Sequence, residues 1–197
     1  KYFERENQSY LITPMKYGTL SGGKKIRSSI IINTGKLFNI ESSKLFYICA
    51  AVECIHSYSL IHDDLPCMDN DKTRRGKPST HVKFGEATAV LAGNSLLTLA
   101  FEMISNKRYL ISDNSKLELI KELAFCLGHS GIAGGQELDL RFERKKKNFN
   151  QIIDMQKKKT GRLFNFCCLS AGIVAKKNKK IKNELKILGE EIGLLFQ

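Results

Sequence analysis

The sequence predicts an all-α fold, and three observations support this prediction. The chain has only three prolines, and none lies in residues 79–197, so helices can run there with few breaks. Strict alternation of apolar and polar residues, which indicates a strand, is absent. Apolar residues instead recur every three or four positions, as on one face of a helix. Two such series are Leu117, Ile120, Leu123, Ala124 and Leu127, and Ile181, Leu185, Leu188, Ile192 and Leu195.

Composition indicates a globular protein and limits the classes of partner that the protein can bind. Its 197 residues, 42% of them hydrophobic, suit one domain with a sizeable core. The net charge of +12 is compatible with nucleic acid, an acidic membrane surface or anionic substrates. Much of the excess is Lys, clustered at 145–147, 157–159 and 176–182 without interleaved aromatic residues or zinc-finger spacing. These features argue against a nucleic-acid module.

Cysteine usage and hydropathy predict a reduced cytoplasmic protein. The six cysteines include no Cys-x-x-Cys pair, and several lie in apolar helical runs, as core thiols do. No apolar stretch reaches the roughly 18 uninterrupted residues of a membrane span, and no signal peptide is visible. Because the chain begins with Lys1 rather than Met, we expect a segment to precede it.

A glycine turn over residues 20–27 is predicted to lead into a helix. Ser21 is the expected cap of that helix, and the two following glycines expose backbone N–H groups that can hold phosphate. Lys24 and Arg27 stand three positions apart, hence on one helical face, and offer a point charge and a bidentate fork to the same anion. Taken alone, the turn is more typical of an ordinary basic helix start than of a phosphate site, and the Walker spacing is absent.

An apolar run over residues 45–61 predicts a buried helix that reaches Asp63 and Asp64 and stops before Pro66. Carboxylates at a helix C-terminus face the negative end of the macrodipole, which costs about 0.3–1 kcal/mol each. A cation is therefore expected beside them.

Two further carboxylates, Asp69 and Asp71, lie just past this helix end and can face the same space. Four such groups repel one another unless a hard cation neutralises them. Mg²⁺ fits, because it binds through one or two carboxylates and completes its shell with water and substrate phosphates. The basic segment 72–78 then places enough positive charge beside the metal site to attract a group of the size of a diphosphate. The alternative interpretation is a solvated acidic loop.

The spacing Asp-Asp-x-x-x-x-Asp over residues 63–69, followed by this basic segment, resembles the first aspartate-rich motif of the short-chain trans-prenyl diphosphate synthases, in particular their bacterial farnesyl-forming members. The resemblance covers essentially all 197 residues. It implies an isoprenoid-synthase-type helical bundle around a central apolar cavity, one domain over residues 1–197, and a cytoplasmic homodimer. It also implies Mg²⁺ as the cofactor.

The resemblance assigns the metal site to Asp63, Asp64 and Asp69. Asn70 departs from close relatives, which carry aspartate there, so weaker metal affinity is expected. The resemblance further assigns isopentenyl diphosphate to Lys24, Arg27 and His56.

His56 lies two helical turns before Asp63, so both residues project from one helix face. A lone histidine in an apolar helix is more often an ordinary core residue, and that alternative stays open for His56.

Paired arginines, Arg74 and Arg75, match those that face the allylic and the isopentenyl diphosphates in the family.

The sequence of residues 84–105 predicts a packing helix. Residues 134–140 resemble the Gly-Gln-x-x-Asp helix that lines the family's cavity, although a plain packing helix is an equal alternative.

Lys159, Thr160 and Gly161 interrupt a predicted helix over residues 152–174. A kink at the glycine that turns the other two inward explains the interruption, and they resemble the Lys-Thr pair that contacts the allylic diphosphate. The alternative is a glycine that the helix merely tolerates. Gln197 resembles the glutamine that precedes the family's second aspartate-rich motif, and the resemblance implies that it binds substrate. That motif is expected to follow residue 197.

The resemblance implies a Mg²⁺-dependent prenyltransferase that condenses isopentenyl diphosphate with dimethylallyl or geranyl diphosphate to give farnesyl diphosphate and pyrophosphate. Asp63, Asp64 and Lys159 are the expected catalytic residues. Tyr58, five residues before the first aspartate, is the expected floor that limits product length. The alternatives are a geranyl or geranylgeranyl diphosphate synthase, a non-catalytic partner subunit, and a terpene cyclase. The glycine turn argues against the last.

Overall fold

The computed structural model describes residue 3, residues 9–143 and residues 146–197. Lys145, part of one predicted Lys cluster, lies outside these residues. Ten α-helices make up most of the described chain, so the predicted all-α class is confirmed. They are α1 (Ile12–Leu20), α2 (Ile26–Lys36), α3 (Phe46–Asp63), α4 (Thr80–Phe84), α5 (Glu86–Ser105), α6 (Asp113–Leu127), α7 (Ile132–Phe142), α8 (Phe149–Gln156), α9 (Arg162–Val174) and α10 (Lys179–Leu195).

A two-stranded antiparallel hairpin follows α3. Its strands are β1 (Thr73–Arg74) and β2 (Lys77–Pro78). The two residues of its loop, Arg75 and Gly76, have φ angles of 53° and 73°, which is the left-handed geometry of a type I′ turn. The sequence analysis predicted no strand, because two-residue strands are too short to show alternation.

The structure divides into two compact units. The first comprises the described residues of Lys1–Lys25 together with Ala50–Glu102, and the second comprises Ile26–Cys49 and the described residues of Met103–Gln197. No change of composition marks these boundaries in the sequence. The single domain stays a prediction.

Close packing in the first unit surrounds the C-terminal half of α3. Gly18 of α1 lies against Ile61, since a Cβ on this glycine would stand 2.5 Å from the isoleucine Cδ1 atom. On α5, Gly93 lies under the His62 ring, whose Nε2 is 3.1 Å from the carbonyl oxygen of Val90. The helix end that carries the aspartates therefore has α1 and α5 packed against it.

The second unit is built on α9, whose residues 163–173 are buried. Helix α10 packs on it through Leu185, Gly189 and Gly193. A Cβ on Gly189 would lie 2.5 Å from the Asn165 Cα, so the two backbones approach closely. The predicted stripe on α10 is therefore partly wrong, because Leu195 is 87% exposed. Glycines carry no hydrophobic signal, which is why the stripe was misplaced.

The stripe predicted on α6 is also partly wrong. Leu123 and Leu127 are buried as expected, together with Leu119, whereas Leu117 is 67% exposed. Four cysteines are buried, and all six thiols are free; Cys67 is exposed.

Two helical segments, Ser42–Asp63 and Glu86–Ser105, are long and apolar enough to span a membrane by length and composition. Core helices of water-soluble proteins pass the same test, so this is weak evidence. The predicted absence of a membrane span stays a prediction.

Candidate functional site

The acidic turn begins where α3 ends. Helix α3 stops at Asp63, and the N–H of Asp64 still donates to the Leu60 carbonyl at 3.1 Å. The N–H of Asp69 donates back to the carbonyl of Asp63 at 2.9 Å. The turn is thus folded onto the helix end, and the prediction that the helix reaches the aspartate pair is confirmed to within one residue.

Asn70 follows with a φ of 51°, in the left-handed region. Its N–H donates to the Leu65 carbonyl at 3.1 Å. Asparagine is one of the few residues with a side chain that adopt this region readily. The departure from the family's aspartate therefore suits the backbone of the turn.

Asp64 is buried and held by Arg74. The Arg74 Nε donates to the two carboxylate oxygens at 3.0 and 3.3 Å, Nη2 contacts Oδ1 as well, and the same Nη2 donates to Asp71 at 3.0 Å. Burial raises the pKa of Asp64, which the hydrogen bonds and charge of Arg74 oppose. The guanidinium is half-buried, and its bonds to Asp64 raise its own pKa. The hairpin thus places a positive charge, the Arg74 guanidinium, beside the buried carboxylate of Asp64.

One of the three predicted Mg²⁺ ligands, Asp64, is held by Arg74. Asp63, Asp64 and Asp69 supply carboxylate oxygens at one helix end, which Mg²⁺ prefers. Within residues 9–143 and 146–197, no three His, Cys, Asp or Glu side chains close around one point. The assignment of Asp63, Asp64 and Asp69 to Mg²⁺ therefore stays a prediction.

The glycine turn differs from its predicted geometry. Ser21 is the C-cap of α1 and not the cap of α2, which begins only at Ile26. Gly22, Gly23 and Lys25 have φ angles of 94°, 120° and 48°. Three left-handed residues cannot continue a helix, so the turn is a separate segment.

Lys24 lies in this turn, whereas Arg27 lies on α2. The argument that both project from one helix face is therefore wrong. Lys24 is exposed and belongs to the first unit. Arg27 belongs to the second, where its guanidinium lies 4.8 Å from the centroid of the Phe164 ring. Their roles toward isopentenyl diphosphate stay predictions.

Arg75 lies over the glycine turn. Its Nη1 donates to the carbonyl oxygen of Gly22, and a Cβ on Gly23 would stand 2.8 Å from the same nitrogen. Two adjacent residues of the hairpin thus contact different turns: Arg75 contacts the glycine turn, and Arg74 contacts the acidic turn. Sequence reasoning proposed two targets for the pair but missed the contact of Arg75 with backbone.

His56 and Tyr58 both lie on α3 and are partly exposed. The Tyr58 ring meets the His62 ring edge to face, with 4.9 Å between centroids. Burial raises the pKa of Tyr58, and the nearby charge of Asp63 adds to this. The phenol is therefore neutral at ordinary pH.

The interruption predicted at residues 159–161 is a π-helical segment, Lys157–Gly161, between α8 and α9. Thr160 is buried, and its Oγ1 accepts a hydrogen bond from Gln197 Nε2 at 2.7 Å. The Lys159 Nζ donates to Asp139 on α7 at 2.6 Å. Such π segments occur frequently at functional sites.

Gly135 explains why this segment and α7 come so close. A Cβ at this position would overlap the backbone N of Lys159 and lie 2.5 Å from its Cα. The Gly-Gln-x-x-Asp sequence therefore has two roles: its glycine, Gly135, admits the backbone of Lys159, and Asp139 pairs with the Lys159 side chain. Sequence reasoning missed this pairing, because spacing alone does not connect residues 20 positions apart.

Comparison with known proteins identifies the family to which the chain is similar. The model of the family described as polyprenyl synthetase matches residues 8–197. The chain is 45% identical over 192 residues to a farnesyl diphosphate synthase of Buchnera aphidicola from Schizaphis graminum, covering 96% of this chain and 65% of the relative. It is 44% identical to the farnesyl diphosphate synthase of Escherichia coli, covering 95% of this chain and 63% of that protein. The chain therefore spans slightly less than two thirds of these relatives.

The fold is also similar to those of solved structures. An FPP/GFPP synthase from Zymomonas mobilis superposes with a TM-score of 0.91 at 42% identity, over 95% of this chain and 68% of that one. A geranyltransferase from Helicobacter pylori gives a TM-score of 0.89 at 33% identity, over 100% of this chain and 72% of that one. The predicted isoprenoid-synthase-type helical fold is confirmed.

Proposed function

Because the chain belongs to the polyprenyl synthetase family, we propose that it is a prenyltransferase that condenses isopentenyl diphosphate with an allylic diphosphate, with farnesyl diphosphate and pyrophosphate as products. The observation that carries this proposal is the hairpin at residues 73–78. Its Arg74 binds the buried Asp64 of the acidic turn, and its Arg75 binds the glycine turn. A cationic side chain therefore stands at each of two places suited to a diphosphate, as a reaction between two diphosphates requires.

The residues of the acidic turn begin the reaction. Asp63, Asp64 and Asp69 would hold Mg²⁺, which supplies positive charge to the departing diphosphate. Arg74, which pairs with Asp64 and Asp71, would add positive charge beside the diphosphate as the allylic C–O bond breaks, and so stabilise the negative charge that develops there. The bond cleavage leaves an allylic cation and pyrophosphate.

The remaining residues complete the reaction. Lys24, Arg27 and His56 bind isopentenyl diphosphate, so that its double bond attacks the cation and forms the new C–C bond. A proton then leaves the adjacent carbon, and the released pyrophosphate accepts it. Lys159 and Thr160 bind the allylic diphosphate.

The proposal is tested by supplying the protein with labelled isopentenyl diphosphate and geranyl diphosphate. We expect a labelled C15 diphosphate that needs both substrates and disappears when EDTA removes divalent cations. A terpene cyclase would instead consume geranyl diphosphate without incorporating label. A non-catalytic partner subunit would give no product by itself, and either result would contradict the proposal.

Arg27→Ala is expected to raise the KM for isopentenyl diphosphate at least about tenfold, the size of one lost charge-assisted hydrogen bond. The KM for the allylic substrate is expected to change less than threefold. Steady-state kinetics with each substrate varied in turn measures both. Arg162→Ala is the matched control, since this arginine also lies over a ring, at 5.3 Å from the centroid of Phe125. Equal effects of Arg27→Ala on both substrates would show that it serves no dedicated site.

Tyr58→Ala is expected to shift the product from C15 toward C20 or longer. On a helix the ring stands about 7.5 Å before Asp63 along the axis, where it can block a growing chain. Chromatography of the dephosphorylated products measures the shift. Tyr58→Phe keeps the ring and is expected to keep the C15 product. An unchanged profile in a stably folded Tyr58→Ala protein would exclude the floor role.

We propose, in addition, a cytoplasmic homodimer as the working state. The dimer stays a prediction.

A further inference from the structure

Lys25 closes the glycine turn in a backbone conformation that residues with a side chain rarely adopt. Its φ is 48°, and it follows two glycines that are also left-handed. Glycine or asparagine would enter this region more easily than lysine. A lysine in this conformation needs contacts that hold it.

The Lys25 side chain supplies those contacts by reaching two helices of the first unit. Its Nζ donates to the carbonyl of Thr19 at 3.3 Å and to Glu53 Oε2 at 2.9 Å. Thr19 lies in the last turn of α1, whose carbonyls have no partner within the helix. The Glu53 side chain is 14% exposed. One ammonium group therefore ties the end of the turn to α1 and to α3.

Glu53 stands one helical turn before His56 on α3. A carboxylate in this position repels a diphosphate, so a direct binding role does not account for it. Its hydrogen bond to Lys25 gives it an indirect role, as the fixed point to which the turn is attached.

The other side of the turn is fixed by Arg75. This guanidinium donates to the Gly22 carbonyl and fills the space in which a Cβ on Gly23 would lie. Lys24, between the two anchored ends, is exposed, and within the described chain it makes neither a hydrogen bond nor an ion pair. The turn is thus held at both ends while its lysine is available for a ligand.

We propose that Lys25 and Glu53 are positioning residues, whose ion pair holds residues 22–24 in their binding shape before isopentenyl diphosphate arrives. This inference rests on the proposed function and extends it to residues that do not touch the substrate. A turn ordered in advance loses less conformational freedom on binding, so the affinity is higher than that of the same groups on a loose turn.

Glu53→Gln separates positioning from simple electrostatics. The substitution removes a negative charge near an anion site, so electrostatic attraction alone predicts tighter binding. Positioning predicts the opposite, because the charged anchor of Lys25 is lost. We expect the Kd of isopentenyl diphosphate, measured by calorimetry, to rise about five- to tenfold. The Kd of an allylic diphosphate is expected to change less than twofold.

Three further variants complete the test. Lys25→Arg keeps the ion pair and is expected to bind like the parent. The double variant Lys25→Met with Glu53→Gln is expected to bind no more weakly than Lys25→Met alone, because both changes break one interaction. Glu122→Gln breaks a comparable ion pair with Lys186, at 2.9 Å, and is expected to leave both affinities unchanged.

Amide hydrogen exchange of residues 22–25 in the ligand-free protein gives a second measurement. We expect several-fold faster exchange in Lys25→Met than in the parent, and this comparison stands even if Glu53→Gln does not fold. A parent protein that does not bind isopentenyl diphosphate overturns the proposed function. A parent that binds it while Glu53→Gln binds equally or more tightly overturns the positioning role alone, as does unchanged exchange in Lys25→Met.

Discussion

Asp64→Ala is expected to reduce turnover at least about 10²-fold, the usual loss for one element that stabilises developing charge. Asp63→Ala is expected to act similarly. Asp64 is buried at the end of α3 and held by Arg74, so its loss removes a proposed metal ligand and also frees the guanidinium. Steady-state rates at saturating substrate measure the effect, and thermal unfolding checks that the variant folds.

Asp71→Ala is the matched control for this prediction. Asp71 also binds Arg74 Nη2, at 3.0 Å, but its side chain is 53% exposed and it lies outside the proposed metal set. We expect its loss to lower turnover less than about fivefold, because exposed ion pairs contribute little. Comparable losses in Asp71→Ala and Asp64→Ala would indicate that general acidity, and not a defined ligand set, matters here.

Gly135→Ala is expected to lower the free energy of unfolding by roughly 3 kcal/mol, at the upper end of the usual cost of overpacking. The added Cβ would overlap the backbone of Lys159. A change of side-chain rotamer cannot relieve this overlap, because the clashing atoms belong to the backbone. Helix α7 and the π segment must therefore separate, which also disturbs the 2.6 Å contact between Lys159 and Asp139. Denaturant unfolding measures the first effect, and weaker binding of the allylic diphosphate reports the second.

Gly161→Ala is the control for Gly135→Ala. Its Cβ would meet no atom closer than 3.9 Å, so the substitution is expected to leave stability unchanged or to raise it by up to about 1 kcal/mol. Equal unfolding midpoints for the two variants would contradict the close approach of α7 to the π segment.

The helix end and its carboxylates were predictable because each depends on local signals. The apolar run sets the helix, Pro66 limits it, and the unfavourable placement of Asp63 and Asp64 at a C-terminus points to a cation. The structure has the helix end within one residue of the prediction. The interruption of the helix at Gly161 was local as well, and it coincides with the π segment.

The parts that the sequence analysis missed depend on contacts between distant residues or on glycines. The positive φ angles of Gly22 and Gly23 separate Lys24 from α2, and no periodicity reveals them. The contact between Lys25 and Glu53 spans 28 positions. The buried face of α10 includes Gly189 and Gly193 beside Leu185, and the apolar pattern missed these glycines because a residue without a side chain adds no hydrophobic signal.

Equilibrium dialysis with a labelled allylic diphosphate tests the central claim most directly, namely that Asp63, Asp64 and Asp69 bind a diphosphate through a divalent cation. The chain is expected to retain the label in the presence of Mg²⁺ and to release most of it when EDTA is added. Asp64→Ala is expected to retain little label under either condition, whereas Asp71→Ala is expected to match the parent. Retention that is unchanged by EDTA and by Asp64→Ala would contradict the claim.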